Sequence, residues 1–85
     1  MRFRASVYVA LKPAVNDPQG NAVMDGLHAL GFESAANVRV GKFLTLDLEA
    51  DDQAAAKQQA EAMCDRLLAN PVIETYSVEV ATAGE

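Results

Sequence analysis

Apolar residues at the start of the chain fall on alternate positions. Phe3, Ala5, Val7, Val9 and Leu11 share one parity, and Arg2, Arg4, Ser6, Tyr8 and Ala10 the other. A period of two marks a strand buried on one face. The alternation stops at residues 11–20, where Pro13, Pro18 and Gly20 dictate backbone shape rather than packing. Asp17 suits a helix N-cap, and Pro18 suits the first helical position, where its missing N–H is not needed and its fixed φ already fits. Val23, Leu27 and Leu30, with Met24 beside them, then recur at helical spacing. Gly31 supplies the left-handed residue that ends such a helix, which predicts helix over residues 18–30.

In the middle of the chain Val38, Val40, Leu44, Leu46 and Leu48 share one parity, although Gly41 and Lys42 interrupt them. A hairpin with a two-residue loop at Gly41 and Lys42 would set Val40 opposite Phe43, on the face of Thr45 and Asp47, and so fails. A hairpin with a three-residue turn keeps the apolar set together, as does one strand bent at Gly41; we prefer the bent strand. A strand over residues 37–49 would be about 43 Å long, whereas a compact chain of this length has a radius of gyration near ~12 Å. Such a strand overhangs its own body and exposes a backbone edge, a pattern that suggests self-association. Asp51 or Asp52 can cap a second helix, with Ala56, Ala60, Met63, Cys64 and Leu67 as its apolar stripe until Asn70 and Pro71 end it. A last strand follows, with Val72, Tyr76, Val78 and Val80 facing one way and Glu74 as the exception. The order strand, helix, long bent strand, helix, strand reads as an α+β two-layer sandwich, two helices on one face of an antiparallel sheet, similar to ferredoxin-like folds.

The length of 85 residues suits one small domain over residues 1–85, with a polar tail at 81–85 expected to fray. Twelve acidic against seven basic side chains give a net charge of −5, the wrong sign for a surface that neutralises phosphates, so nucleic acid is disfavoured as partner. No window approaches a membrane span of roughly 18 apolar residues. The single cysteine cannot form an internal disulfide, and a reducing cytoplasm is the default location.

Candidate chemistry is sparse. His28 is the only histidine and lies between core positions of the first helix, where a structural role is the simpler reading. Cys64 sits in an apolar stripe and reads as an inert core thiol. These two residues cannot make a Cys/His zinc site, and Gly41-Lys42 lacks the flanking residues of a phosphate loop. Lys42 does fall in the buried register, so it must either snorkel out at the kink or find an anion or a carboxylate. Arg2, Arg4, Tyr8, Arg39 and Phe43 take the outward parity, and Arg and aromatic residues are types enriched at protein interfaces.

Two runs carry a family resemblance. The first is Lys12, Pro13, then Asp17, Pro18, Gln19, Gly20; the second is Leu67, Leu68, Ala69, Asn70, Pro71. Together they resemble the entry and exit runs of the PurS family, the small subunit of phosphoribosylformylglycinamidine synthase. Ala14 stands where that family usually has Gly, and Asn16 where a larger apolar or aromatic residue is common. The resemblance implies a non-catalytic subunit in purine biosynthesis that binds no cofactor or metal itself. It would bridge a glutaminase subunit and a large synthetase subunit that uses ATP and magnesium, help ammonia pass between them, and form a homodimer or tetramer. By motif position it points to Lys12, Pro13, Asp17, Pro18, Gln19, Arg39, Gly41, Lys42, Asn70 and Pro71 as residues that shape or make subunit contacts. A self-associating small-molecule sensor domain is the alternative, since ferredoxin-like pairs often bind ligands between subunits.

Overall fold

The computed structural model describes residues 1–83. Strand β1 (Arg2–Leu11) lies at the centre of a three-stranded sheet, flanked antiparallel by β2 (Lys42–Glu49) and β3 (Glu74–Thr82). Val7 stands opposite Leu44 on one side and Val78 on the other, and Ala5 opposite Leu46 and Val80, so the apolar parities of all three strands share one face. Helix α2 (Gln53–Met63) covers that face. It begins where the Asp52 carboxylate accepts from the Ala55 amide at 2.8 Å, and it turns Ala56 and Ala60 into the core. Their small side chains let the helix approach the sheet closely and pack against Phe3, Val7 and Val78. Burial of a side chain such as Val7 contributes roughly 2 kcal/mol.

Beyond Met63 the helix widens into a π turn over Cys64–Leu68, closed by the Ala69 amide donating to the Cys64 carbonyl at 3.0 Å. The wider turn shifts the phase of the side chains that follow. Leu67, expected in the apolar stripe, is therefore 83% exposed, while Ala69 enters the core. Cys64 is buried as expected, and burial, with help from Asp65 and Glu61, pushes its thiol up, which keeps it protonated and unreactive. The last strand starts at Glu74 rather than Val72. The Asn70 carbonyl accepts the amides of Ile73 and Glu74, and its side chain accepts that of Val72, so residues 71–73 stay wound and Val72 is exposed. At the other end β3 continues through Thr82, and the Ala83 amide donates to the Arg2 carbonyl, so residues 81–83, expected to fray, are held at the ladder; the rest of the expected tail lies outside the described residues.

The strand expected over residues 37–49 is hydrogen-bonded in the sheet only from Lys42 onward. At Gly41 a Cβ would collide with the Val9 carbonyl, a backbone approach only glycine tolerates. Residues 38–41 continue from β2 as an unladdered neck rather than folding back as a hairpin, and Asn37 turns the chain ahead of them with a φ of 57°. Helix α1 (Pro18–Ala29) stands at this neck. It ends in a double closure, Gly31 at φ 98° donating to His28 and Phe32 to Leu27, with the His28 ring hydrogen-bonded to the Ala35 carbonyl. The Val23, Leu27, Leu30 stripe is not covered within one chain: Gly20 is the buried residue of α1, while Val23 is 45% and Leu30 76% exposed. The molecule is accordingly elongated, 50 × 30 × 15 Å with a radius of gyration of 16.4 Å.

Two glycines of α1 separate packing from propensity. A Cβ on Gly20 would strike the Val38 carbonyl, whereas Gly26 has open space around it. Gly20→Ala should therefore destabilise the chain by about 1–2 kcal/mol despite the better helix former. Gly26→Ala should stabilise it by about 0.5–1 kcal/mol. Urea unfolding followed by circular dichroism measures both.

Candidate functional site

The two loop runs meet at one end of the sheet. β1 leaves the ladder at Leu11, opposite Glu74, and the next amide, Lys12, donates to the Ile73 carbonyl at 2.8 Å. The exit turn at Asn70 and Pro71 is thereby bonded to the entry loop at Lys12 and Pro13. A tight turn follows, with the Val15 amide donating to the Lys12 carbonyl, and the Arg39 guanidinium donates to the carbonyls of both Lys12 and Val15 at 3.0 and 2.8 Å. Arg39 was expected on the outward face of a strand. Because the ladder begins only at Lys42, its side chain instead reaches into the entry loop and clamps it to the neck.

Asp17 is the junction of this frame. It is 4% exposed, and its two carboxylate oxygens serve different elements: Oδ1 accepts from the Gly20 amide at 2.9 Å as the α1 cap, and Oδ2 accepts from the Val40 amide at 2.7 Å. The Val40 and Gly20 amides, with the nearby Arg39 charge, hold its carboxyl below the ordinary carboxylate range. Pro18 follows as the first helical residue, and Gln19 lines a cleft of about 250 Å³ with Val9, Val40, Gly41, Lys42 and Glu74.

Lys42 takes both courses open to it, reaching out to solvent and finding a carboxylate. Its ammonium donates to the Leu68 carbonyl at the end of the π turn, at 3.0 Å, and stands 3.9 Å from Glu74 Oε2. The other oxygen of Glu74 accepts the Asn70 amide at 2.6 Å. Glu74, the exception in the pattern of the last strand, is thus the acid that ties β3 to the exit turn and to Lys42. A carboxylate in an inward register, matched by a lysine in another, is the sequence signal for such a pair.

The opposite face of the sheet is open to solvent. Arg4 pairs with Asp47 at 3.0 Å, Arg2 lies 3.6 Å from Glu49, and Tyr8 stacks on Phe43 with ring centres 5.0 Å apart while donating to Glu79. Beside the π turn, Tyr76 donates to Asp65 at 2.9 Å, a bond that together with burial pushes its phenol up to about 12. Among the described residues no three His, Cys, Asp or Glu side chains gather as metal ligands, and no helix is long and apolar enough to cross a membrane. The ten candidate residues divide by role: Asp17, Arg39, Lys42 and Asn70 build the frame through side-chain hydrogen bonds, Lys12 through its backbone amide and carbonyl, and Pro18 and Gly41 through backbone geometry. The exposed side chains of Pro13, Gln19 and Pro71 remain available to a neighbour.

Asp17→Ala should accelerate amide exchange at Gly20 and Val40 by about 5–10-fold while leaving Val7 and Val78 protected, as followed by NMR. Because the folded carboxyl is depressed, the tether it supplies is complete above about pH 4 and is lost as pH falls through the lower folded value. Exchange at the two amides, corrected for its intrinsic pH dependence, should rise only in that acid range.

The family profile PurS, phosphoribosylformylglycinamidine (FGAM) synthase, matches residues 4–82. The phosphoribosylformylglycinamidine synthase subunit PurS of Synechocystis is 50% identical over 78 residues, covering 92% of this chain and 78% of that one. Thermus thermophilus PurS superposes with a TM-score of 0.86 at 39% identity, over 99% of this chain and 100% of the other. A chain in the structure of PurLQS from Thermotoga maritima gives 0.87 at 28% identity, over 95% and 99%. With its sequence matched almost end to end and its fold shared with solved members, the chain belongs to the PurS family of phosphoribosylformylglycinamidine synthase.

Proposed function

We propose that this chain is the non-catalytic small subunit of phosphoribosylformylglycinamidine synthase in purine biosynthesis. It holds a glutaminase subunit and a large synthetase subunit together, so that ammonia released by the first reaches the second. ATP and magnesium act on the large subunit, where formylglycinamide ribonucleotide becomes formylglycinamidine ribonucleotide, and the assembly works in the cytoplasm. Family membership supports this reading, as does the similar chain in the Thermotoga PurLQS structure, a complex of PurS with PurL and PurQ.

The observation that carries the non-catalytic part of the reading is how the polar groups of the site are used. Asp17, Arg39, Lys42 and Glu74 spend their hydrogen bonds on backbone amides, on carbonyls and on one another. Groups committed in this way build a rigid surface and leave none poised to take or give a proton during a reaction. His28 and Cys64 are likewise occupied or buried.

Affinity capture of the tagged chain from native extract, with glutamine, magnesium and adenine nucleotide present, should recover a glutaminase and a large synthetase. Depleting the chain should lower glutamine-dependent activity by about tenfold or more, since the two sites then lose their fixed proximity. Activity supplied with ammonium salt should persist. Capture of neither subunit from an extract that contains both would refute the bridging role, and stabilisation by a free amino acid would favour the sensor alternative.

A further inference from the structure

β3 is paired with β1 on one side only, and its other side is an open edge of the sheet. The Lys12 amide donates to Ile73 at one end of the β1–β3 ladder and the Ala83 amide to Arg2 at the other, which fixes its phase. Thr75, Ser77, Glu79 and Ala81 turn their amides and carbonyls toward β1, while Glu74, Tyr76, Val78, Val80 and Thr82 turn theirs outward. Two of the outward groups are taken: the Glu74 amide donates to the Asn70 carbonyl at 2.7 Å, and the Val80 carbonyl accepts the Gln53 side chain at 2.7 Å. Between these two stops the Glu74 carbonyl, both backbone groups of Tyr76 and of Val78, and the Val80 amide have no bond among the described residues. Exposed strand edges are ordinarily blunted by proline, lysine or a bulge. Residues 75–80 carry none of these, and their register with β1 is unbroken.

We propose that an extended segment of one of the two larger subunits adds to this edge as a fourth strand, running parallel to β3. The two stops select the direction. In a parallel pair, alternate residues of the added strand each donate to one carbonyl and accept from the amide two residues further on. Residues of this kind beside Thr75, Ser77 and Glu79 link Glu74 to Tyr76, Tyr76 to Val78 and Val78 to Val80, using every free group between the stops and neither of the taken ones. An antiparallel strand would exchange bonds with Tyr76 and Val78 and then meet both taken groups. The same geometry excludes a second copy at this edge, because a twofold axis makes like strands antiparallel and a parallel repeat of one strand does not close. Charge narrows the chemistry of the segment. The flank of α2 and its π turn over this edge carries Glu61 and Asp65 beside Lys57, and Asp65 is bonded to the Tyr76 hydroxyl. On the other face Glu79 accepts the Tyr8 hydroxyl and has no cation partner among the described residues. The added strand is therefore one with Lys or Arg beside Glu79, and with a small apolar residue just ahead of the position beside Thr75, where a cleft of about 260 Å³ opens between Ala69, Pro71 and Tyr76. This inference rests on the bridging reading and deepens it by assigning one of its contacts.

Hydrogen exchange of the isotope-labelled chain, alone and in the complex reconstituted with its glutaminase and synthetase, reads the edge directly; each sample is quenched and the chain recovered for NMR. The Tyr76, Val78 and Val80 amides should exchange rapidly in the purified chain and about tenfold or more slower in the complex, while Ser77 and Glu79, bonded to β1, stay protected in both. Glu79→Lys should weaken assembly of the complex about fivefold or more, whereas Asp25→Lys, the same change of charge on exposed α1, should weaken it less than about twofold. Circular dichroism confirms that both variants keep their structure. Equally rapid exchange at the three amides in an assembled complex would overturn the added strand and leave the bridging role standing, whereas failure of the wild-type complex to assemble would overturn both. Slow exchange in the purified chain, the mark of cover by a second copy, or equal weakening by the two substitutions would also overturn the inference.

Discussion

The carboxylate of Asp17 is the constraint on which the shape of this molecule depends. One oxygen starts a helix and the other holds the chain where it returns toward the sheet more than twenty residues later. A buried carboxylate between two amides is satisfied without a cation in direct contact, and the nearby Arg39 charge adds to the same preference for the ionised form. Arg39 itself fastens the other side of the same loop. The result is a helix aimed by its first turn and left free along its length, which is why an 85-residue chain extends 50 Å.

The body of the molecule solves a different problem with small side chains. Ala5, Ala56 and Ala60 allow close contact between helix and sheet, and the core they make is thin. A thin core contributes limited hydrophobic stabilisation, of roughly 0.8 kcal/mol per buried methylene. Polar cross-links at the ends of the sheet therefore carry weight. Lys42, Glu74 and Asn70 join β2, β3 and the π turn at one end, while Gln53 reaches the Val80 carbonyl nearer the other. The same groups stiffen the end of the sheet at which the entry and exit runs meet.

Much of this was legible in the sequence because it rested on local chemistry. The alternation of β1, the Asp17-Pro18 helix start, Gly31 as the left-handed stop and the inward Lys42 each follow from one or two residues. What escaped depended on tertiary context. Nothing in the local pattern of Cys64 to Leu68 distinguishes a π turn from continued α-helix, yet one extra residue in the turn moved Leu67 from the core to solvent. Arg39 was assigned to a sheet face because its parity was sound but its segment was not in the ladder. Glu74 breaks the apolar pattern of its strand, and the break marks the partner of Lys42. For the candidate site, sequence singled out the entry and exit runs but could not show that Lys12 and Ile73 are neighbours.

The order of strands also has a consequence for how the chain acquires its structure. β1, the first strand made, is the central one, and half of its ladder is with β3, which closes a loop spanning most of the sequence. Helix α2 and β3 are near neighbours and can associate with little loss of chain entropy, whereas β1 must wait for that unit before both its edges are covered. During synthesis the most apolar strand is therefore exposed for longest, and it carries Arg2 and Arg4 on its alternate face. In the finished sheet these charges pair with Glu49 and Asp47, and on a strand still unpaired, charged side chains disfavour pairing with the wrong edge.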